Sequence, residues 1–210
     1  MATPRPRLSR DAILDAALEI IDGGGLEACT MRAVAADLGV EAMSLYWHVP
    51  GKEALLDGVV QRMLSAAPRY EHSPEWRAEL NGIAHALRGI LLEHPNAIPL
   101  LAGRALGSYA AASKAVETAV GTLEGAGFDR ASAIRASRTV YRYVVGFFLV
   151  EGSQRPGSRP PAPSTIPVGS PILADVAEAV TGEPSADLFE YGLQTMLDGL
   201  EVALRPASPG

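Results

Sequence analysis

Cysteine is nearly absent from this chain. Its 210 residues include one, Cys29, which excludes an internal disulfide framework and any cysteine-rich zinc site. Long apolar runs are missing as well. None reaches the roughly 18 residues that a membrane span needs, although 48% of the residues are hydrophobic. Aromatics are sparse at 6%, and no stretch alternates apolar and polar residues in the manner of a half-buried strand. Positive charge is in deficit: 18 Lys and Arg against 24 Asp and Glu give a net charge of −6. That balance argues against a nucleic-acid binder working through bulk positive charge. A binder with a few placed contacts passes the same test. Arg5, Arg7 and Arg10 lead into an amphipathic stretch with acids, not into an apolar leader. The expectation is a cytoplasmic protein without membrane association.

What is present is helical periodicity. Residues 1–8 read as a flexible Pro/Arg arm. From Ser9, a cap, the apolar residues Ile13, Leu14, Ala17, Leu18 and Ile21 recur at three- and four-residue spacings, and Gly23-Gly24-Gly25 stops the run. Thr30 caps a second helix carrying Met31, Val34 and Leu38, which Gly39 ends. A third helix of about two turns is predicted over Ala42 to His48, and a fourth from Lys52 to about Leu64. Helix, short turn with glycine, helix is the helix-turn-helix pattern, although small bundles share such turns. Further helices are predicted over Trp76–Glu93, Tyr109–Glu124, Asp129–Gly152, Ile172–Val180 and Asp187–Leu204. Residues 152–171 hold six prolines and cannot be helical. They read as a mobile loop, with an ordered lid as the alternative.

The long helix to Gly152 is apolar almost all round at Val140, Val144, Phe147 and Phe148, a pattern of burial on several sides. The last helix carries Leu193, Met196, Leu197 and Leu200, with Gly192 and Gly199 on one stripe. Val140, Val144, Phe148, Leu193, Met196, Leu197 and Leu200 are therefore candidates for a helical dimer interface. A monomeric core explains them too.

The stretch Thr30-Met31-Arg32-Ala33-Val34-Ala35-Ala36-Asp37-Leu38-Gly39-Val40, followed by Ser44-Leu45-Tyr46-Trp47-His48-Val49, Lys52 and Ala54-Leu55-Leu56-Asp57, resembles the DNA-binding domain of the tetracycline-repressor (TetR) family. Fainter similarity at Trp76, His94, Gly127-Phe128, Gly192-Leu193 and Gly199-Leu200-Glu201 extends the resemblance to the C-terminal domain of that family. It implies an all-α protein: a three-helix helix-turn-helix head over residues 9–56, a ligand-binding and dimerisation domain over 57–205, and a tail over 206–210. It also implies a homodimer that binds an operator in double-stranded DNA and leaves it when a small molecule binds.

The residues carry that reading unevenly. Ala42, Met43 and Ser44 begin the recognition helix, where base edges are met. Ala42 and Met43 can touch a thymine methyl but make no bidentate base contact, so a tetracycline operator is not expected. Arg32 is the long cation closest to a base edge, with a surface helix cation as its bland role. Tyr46 and His48 would reach phosphates, while Trp47 reads as a core aromatic. Lys52 opposes the dipole of the helix it begins, and a phosphate there would satisfy both. Thr30 has a hydroxyl for a phosphate and an equal claim as a cap. Through residue 56 there are five Lys and Arg against eight Asp and Glu, so binding should rest on few contacts.

On the effector side, the resemblance sets Ile83, Leu87 and Leu100 where relatives place polar or aromatic ligands of tetracycline, and Arg104 at a loop arginine. No magnesium-tetracycline site, metal or cofactor is expected. A hydrophobic effector among Ile83, Leu87, Leu100, Leu101, Arg104, Tyr109, Tyr143 and Phe147 is expected instead, although each alone also reads as core. His85 and His94 read as structural. Nothing supports an enzyme: Gly23-Gly24-Gly25 follows a helix rather than a strand, and Cys29 has no histidine partner nearby in sequence. The rival reading is a small-molecule binder of the same family whose sequence-specific DNA binding is weak or lost.

Overall fold

The computed structural model describes residues 8–66, 71–102, 104, 109–152, 171–173, 175 and 185–204. Nine helices of the described residues carry the argument: α1 Arg10–Gly24, α2 Met31–Leu38, α3 Ala42–Leu45, α4 Lys52–Ser65, α5 Trp76–Glu93, α6 Ile98–Ala102, α7 Ala110–Gly125, α8 Arg130–Gly152 and α9 Ser185–Leu204. No strand occurs among the described residues. The Pro-rich loop, the arm, the tail and most of the predicted helix Ile172–Val180 lie outside them.

The caps explain where the head helices begin and end. Ser9 Oγ accepts from the Ala12 N–H at 3.2 Å and Thr30 Oγ1 from the Ala33 N–H at 3.1 Å, each satisfying a donor that the first turn leaves open. Gly39 closes α2 at φ +64°, a left-handed conformation that a β-carbon disfavours. Ile13, Leu14, Ala17 and Ile21 of α1 are buried together with Val34, Ala35, Leu45, Val49 and the α4 residues Leu55, Leu56 and Val59. Each large aliphatic side chain so buried is worth about 1.5–3 kcal/mol. The expected two-turn helix at Ala42–His48 is shorter than predicted. Its α-helical part ends at Leu45, and Tyr46, Trp47 and His48 continue as a turn in which the His48 N–H donates to Leu45 O at 2.9 Å.

The C-terminal part is built around α8, which packs on α5, α6, α7 and α9. α4 belongs to both parts. It packs on α1 in the head and on α5, α6 and α7 beyond it, so no break falls at residue 57. Gly58 of α4 makes the head contact close: a β-carbon there would lie 2.5 Å from Leu14 Cδ2. At the opposite end of α1, His94 Nδ1 lies 2.8 Å from Asp22 Oδ2, and Asn96 Nδ2 donates to Asp22 O at 2.8 Å. The corner between α5 and α6 is thereby pinned to the end of α1.

Candidate DNA interface and effector site

In the head, Leu45 and Val49 are the buried side chains of the recognition segment. Four residues apart, they define its inner side, and position 47, halfway between them, must point away. The structure corrects the expectation for Trp47: it is 89% exposed and no core aromatic. Helical arithmetic could have found this, because the i, i+4 pair of Leu45 and Val49 leaves no inward place at 47. Met43 is 71% exposed and Tyr46 47%. Thr30, Arg32, His48 and Lys52 are exposed, while Ala42 and Ser44 are half-buried. α4 begins at Lys52 after Gly51, which supplies no side-chain cap. Its first N–H groups are therefore open to an anion from outside.

The eight candidate effector residues divide by what they touch. Leu87, Leu100 and Leu101 are buried, and Ile83 is half-buried against the same core. Arg104 and Tyr109 turn to α4. Arg104 Nε donates to Asp57 Oδ1 at 2.8 Å, its Nη2 to Glu53 Oε2 at 3.3 Å and its Nη1 to Leu100 O at 3.3 Å, while the Tyr109 hydroxyl donates to Asp57 Oδ1 at 2.9 Å. Hydrogen bonding from Arg104, with Tyr109 adding to it, holds the Asp57 carboxyl below the usual aspartate range. Burial, with the bond to Asp57, pushes the Tyr109 phenol up to about 12. Tyr143 and Phe147 turn to α9 instead. Tyr143 stacks on Phe189 at 5.6 Å and its hydroxyl donates to Phe189 O at 2.8 Å; Phe147 meets Phe189 edge-on at 5.4 Å. The sequence pointed to neither Asp57 as an anchor nor Phe189 as the centre of an aromatic cluster.

The Asp57 clamp has a pH signature. A carboxyl whose pKa is lowered on folding adds stability above its unfolded value, and that contribution is lost as pH falls through the folded value. Comparing urea unfolding of the unsubstituted protein with Asp57→Asn should give a constant difference above about pH 5 that closes below about pH 4. A difference independent of pH in that window would mean the clamp carries no charge-dependent stability.

The expected dimer interface also needs correction. Val140, Val144, Phe148, Leu193 and Leu197 are at most 2% exposed within one chain, so they have no area to give a second copy. Met196 and Leu200 are half-buried. The two glycines of the last helix differ in role. Gly192 abuts the Tyr143 ring of its own chain, whereas a β-carbon at Gly199 would meet nothing within 4 Å. Large apolar side chains exposed on these two helices include Ile134, Leu149 and Val150 of α8 and Leu188, Tyr191 and Val202 of α9.

A capped helix-turn-helix whose recognition segment faces solvent, joined through α4 and the end of α1 to an α-helical core, defines a DNA-binding regulator. Family models agree: residues 13–59 match the bacterial regulatory proteins of the tetR family, and residues 68–204 the tetracyclin repressor-like C-terminal domain. The chain belongs to the tetR family. It is 32% identical to the HTH-type transcriptional repressor DrrR1 of Streptomyces coeruleorubidus, over 95% of this chain and 79% of that one. It is also 32% identical to the class A tetracycline repressor from transposon 1721 of Escherichia coli, over 92% and 91% of the two chains. Among solved structures, Mycobacterium smegmatis BioQ superimposes with a TM-score of 0.72 at 30% identity, covering 92% of this chain and 98% of BioQ. BioQ has also been solved with its double-stranded DNA operator. These relatives are transcriptional regulators, and no helix among the described residues is long and apolar enough to cross a membrane.

Proposed function

We propose that this protein is a homodimeric, cytoplasmic, ligand-responsive repressor. It binds a palindromic operator through its two helix-turn-helix heads and is released by a small hydrophobic effector other than magnesium-tetracycline. The observation that carries the reading is the exposed recognition segment, Met43 to His48, held at one end by α2 and followed directly by the open N-terminus of α4. Thr30, Arg32, Ala42, Met43, Ser44, Tyr46, His48 and Lys52 are the residues proposed to meet DNA. The exposed apolar side chains Ile134 and Leu149 of α8 and Leu188, Tyr191 and Val202 of α9 support a second copy docking there, with Gly199 allowing close approach. No catalytic role is proposed for any residue.

The clamp supplies the coupling. Arg104 and Tyr109 hold α4 through Asp57, and α4 begins at the DNA contact Lys52. An effector that displaces Arg104 or Tyr109 from Asp57 would release or re-aim α4 and change the spacing of the two recognition helices. Half-sites about one helical turn apart tolerate little change in that spacing. Asp57→Ala, which removes both clamp bonds, should therefore weaken operator binding already without effector and reduce the further effector-induced loss about fivefold or more. Release undiminished in that variant would remove the clamp from the mechanism.

The deciding experiment is selection from a random pool of double-stranded DNA at moderate salt. A palindrome emerging supports the reading, and binding that falls steeply with salt supports phosphate contacts. The second reading, a small-molecule binder with weak or lost operator binding, is favoured by apolar Ala42 and Met43 at the base-reading end. Failure to enrich any sequence would establish it over the first.

A further inference from the structure

Among the described arginines, Arg88 is the one with a buried side-chain nitrogen that has no partner. Arg62 pairs with Asp15, Arg77 with Asp198, Arg104 with Asp57 and Arg130 with Glu124. Arg88 on α5 forms no ion pair among the described residues. Its Nε is buried without a hydrogen-bond partner, and its guanidinium carbon lies 5.3 Å above the Phe189 ring of α9. Glu190, next to Phe189 on α9, is engaged elsewhere: it lies 3.2 Å from His85 Nε2 through one oxygen and accepts from Gln194 Nε2 at 2.7 Å through the other. A buried donor left open is costly unless something fills it.

The surroundings define what could. Phe189 is enclosed by Tyr143, Phe147, Phe148 and His85, with ring centroids 5.4–5.9 Å away. Tyr143 and Phe147 are only half-buried, so this cluster offers flat apolar surface at the seam between α5, α8 and α9. A guanidinium presents its N–H groups as a planar fork that matches a carboxylate through two parallel hydrogen bonds. With Nε the open inner donor, the fork is met from its side. A flat ring against the aromatic cluster would place an attached carboxylate beside that edge.

We propose that Arg88 is the anion-binding end of the effector site, and that the effector is a planar aromatic compound bearing a carboxylate. This rests on reading the C-terminal domain as an effector domain and adds the charge that the apolar candidates alone did not suggest. A neutral ligand of the same shape would bind without engaging Arg88.

The test uses the full-length protein and 1-anilinonaphthalene-8-sulfonate as a fluorescent reporter, displaced by 2-naphthoate or by its neutral isostere 2-naphthamide. The carboxylate should displace at roughly tenfold lower concentration than the amide, as expected for one charge-assisted pair. Arg88→Met, which keeps length and apolar contact with Phe189, should erase that preference, and Arg88→Lys should keep part of it. Circular dichroism and sedimentation check fold and association of both variants, and the lysine variant decides if the methionine variant does not fold. A preference that persists in Arg88→Met, or equal displacement by both compounds in the unsubstituted protein, overturns the proposal but leaves a hydrophobic effector standing. Failure of the reporter and both compounds to bind overturns the proposal and the effector reading together. A methionine variant that dissociates the dimer while keeping the preference assigns Arg88 to the subunit contact instead.

Discussion

Gly192→Ala is expected to destabilise the protein by about 1–3 kcal/mol, while the same change at Gly199 leaves the single chain unharmed. Both glycines lie inside α9, where alanine should be favoured by about 1 kcal/mol on helix propensity. At Gly199 nothing opposes that gain, because no atom lies within 4 Å of the added β-carbon. At Gly192 the β-carbon would meet the Tyr143 hydroxyl, and lie 2.7 Å from its Cζ and 2.9 Å from its Cε2. The ring cannot shift freely, since it stacks on Phe189 and its hydroxyl donates to Phe189 O at 2.8 Å. Moving it forfeits that hydrogen bond and disturbs a cluster of four aromatic side chains. For a chain of this size the midpoint should fall by about 2–4 °C per kcal/mol. A double-mutant cycle isolates the cause: with Tyr143→Leu already present, Gly192→Ala should cost little or nothing. An equal cost in both backgrounds would mean that Tyr143 is not what the glycine accommodates.

This pair shows what the sequence could and could not reveal. Seven-residue spacing put Gly192 and Gly199 on one stripe and suggested one role for both. The stripe is real, but its two ends face different neighbours, and only tertiary packing decides which helix lies over which turn. The apolar residues of α8 were misassigned for the same reason. Val140, Val144 and Phe148 read as surplus apolar surface, yet α5, α6, α7 and α9 surround α8 and use that surface within one chain. Local signals fared better. Ser9, Thr30 and Gly39 act through neighbours three or four residues away, and their caps were legible because nothing distant competes for them. The Asp57 clamp joins residues 47 and 52 positions apart, a contact for which periodicity offers no signal. Arg88 is a harder case still: a buried Nε without a partner becomes visible only once α5 is packed against Phe189 of α9.

Lys52→Ala is expected to weaken operator binding by about 10- to 100-fold, with its salt dependence reduced, while slightly stabilising the fold. The opposite signs make the variant informative. A cation in the first turn of α4 opposes the helix dipole, so its removal should stabilise the free protein by about 0.3–1 kcal/mol. In the complex the same ammonium would lie beside the uncapped N–H groups at the start of α4, where a phosphate meets both. A homodimer has two such sites, so the slope of log affinity against log salt should fall by about 1.8, at about 0.9 per phosphate contact. The loss should be alike for every DNA sequence, since phosphates carry no base identity. Arg32→Ala is expected to behave differently: a loss of about 1–3 kcal/mol per half-site at one base position, relaxed preference there, and an unchanged preference elsewhere. Titration of both variants against the selected palindrome and its single-base derivatives, at two salt concentrations, separates the two roles. If Arg32→Ala weakens all sequences equally and lowers the slope, Arg32 is a second phosphate contact. Sequence preference would then have to come from the apolar contacts of Ala42 and Met43 and from the shape of the DNA.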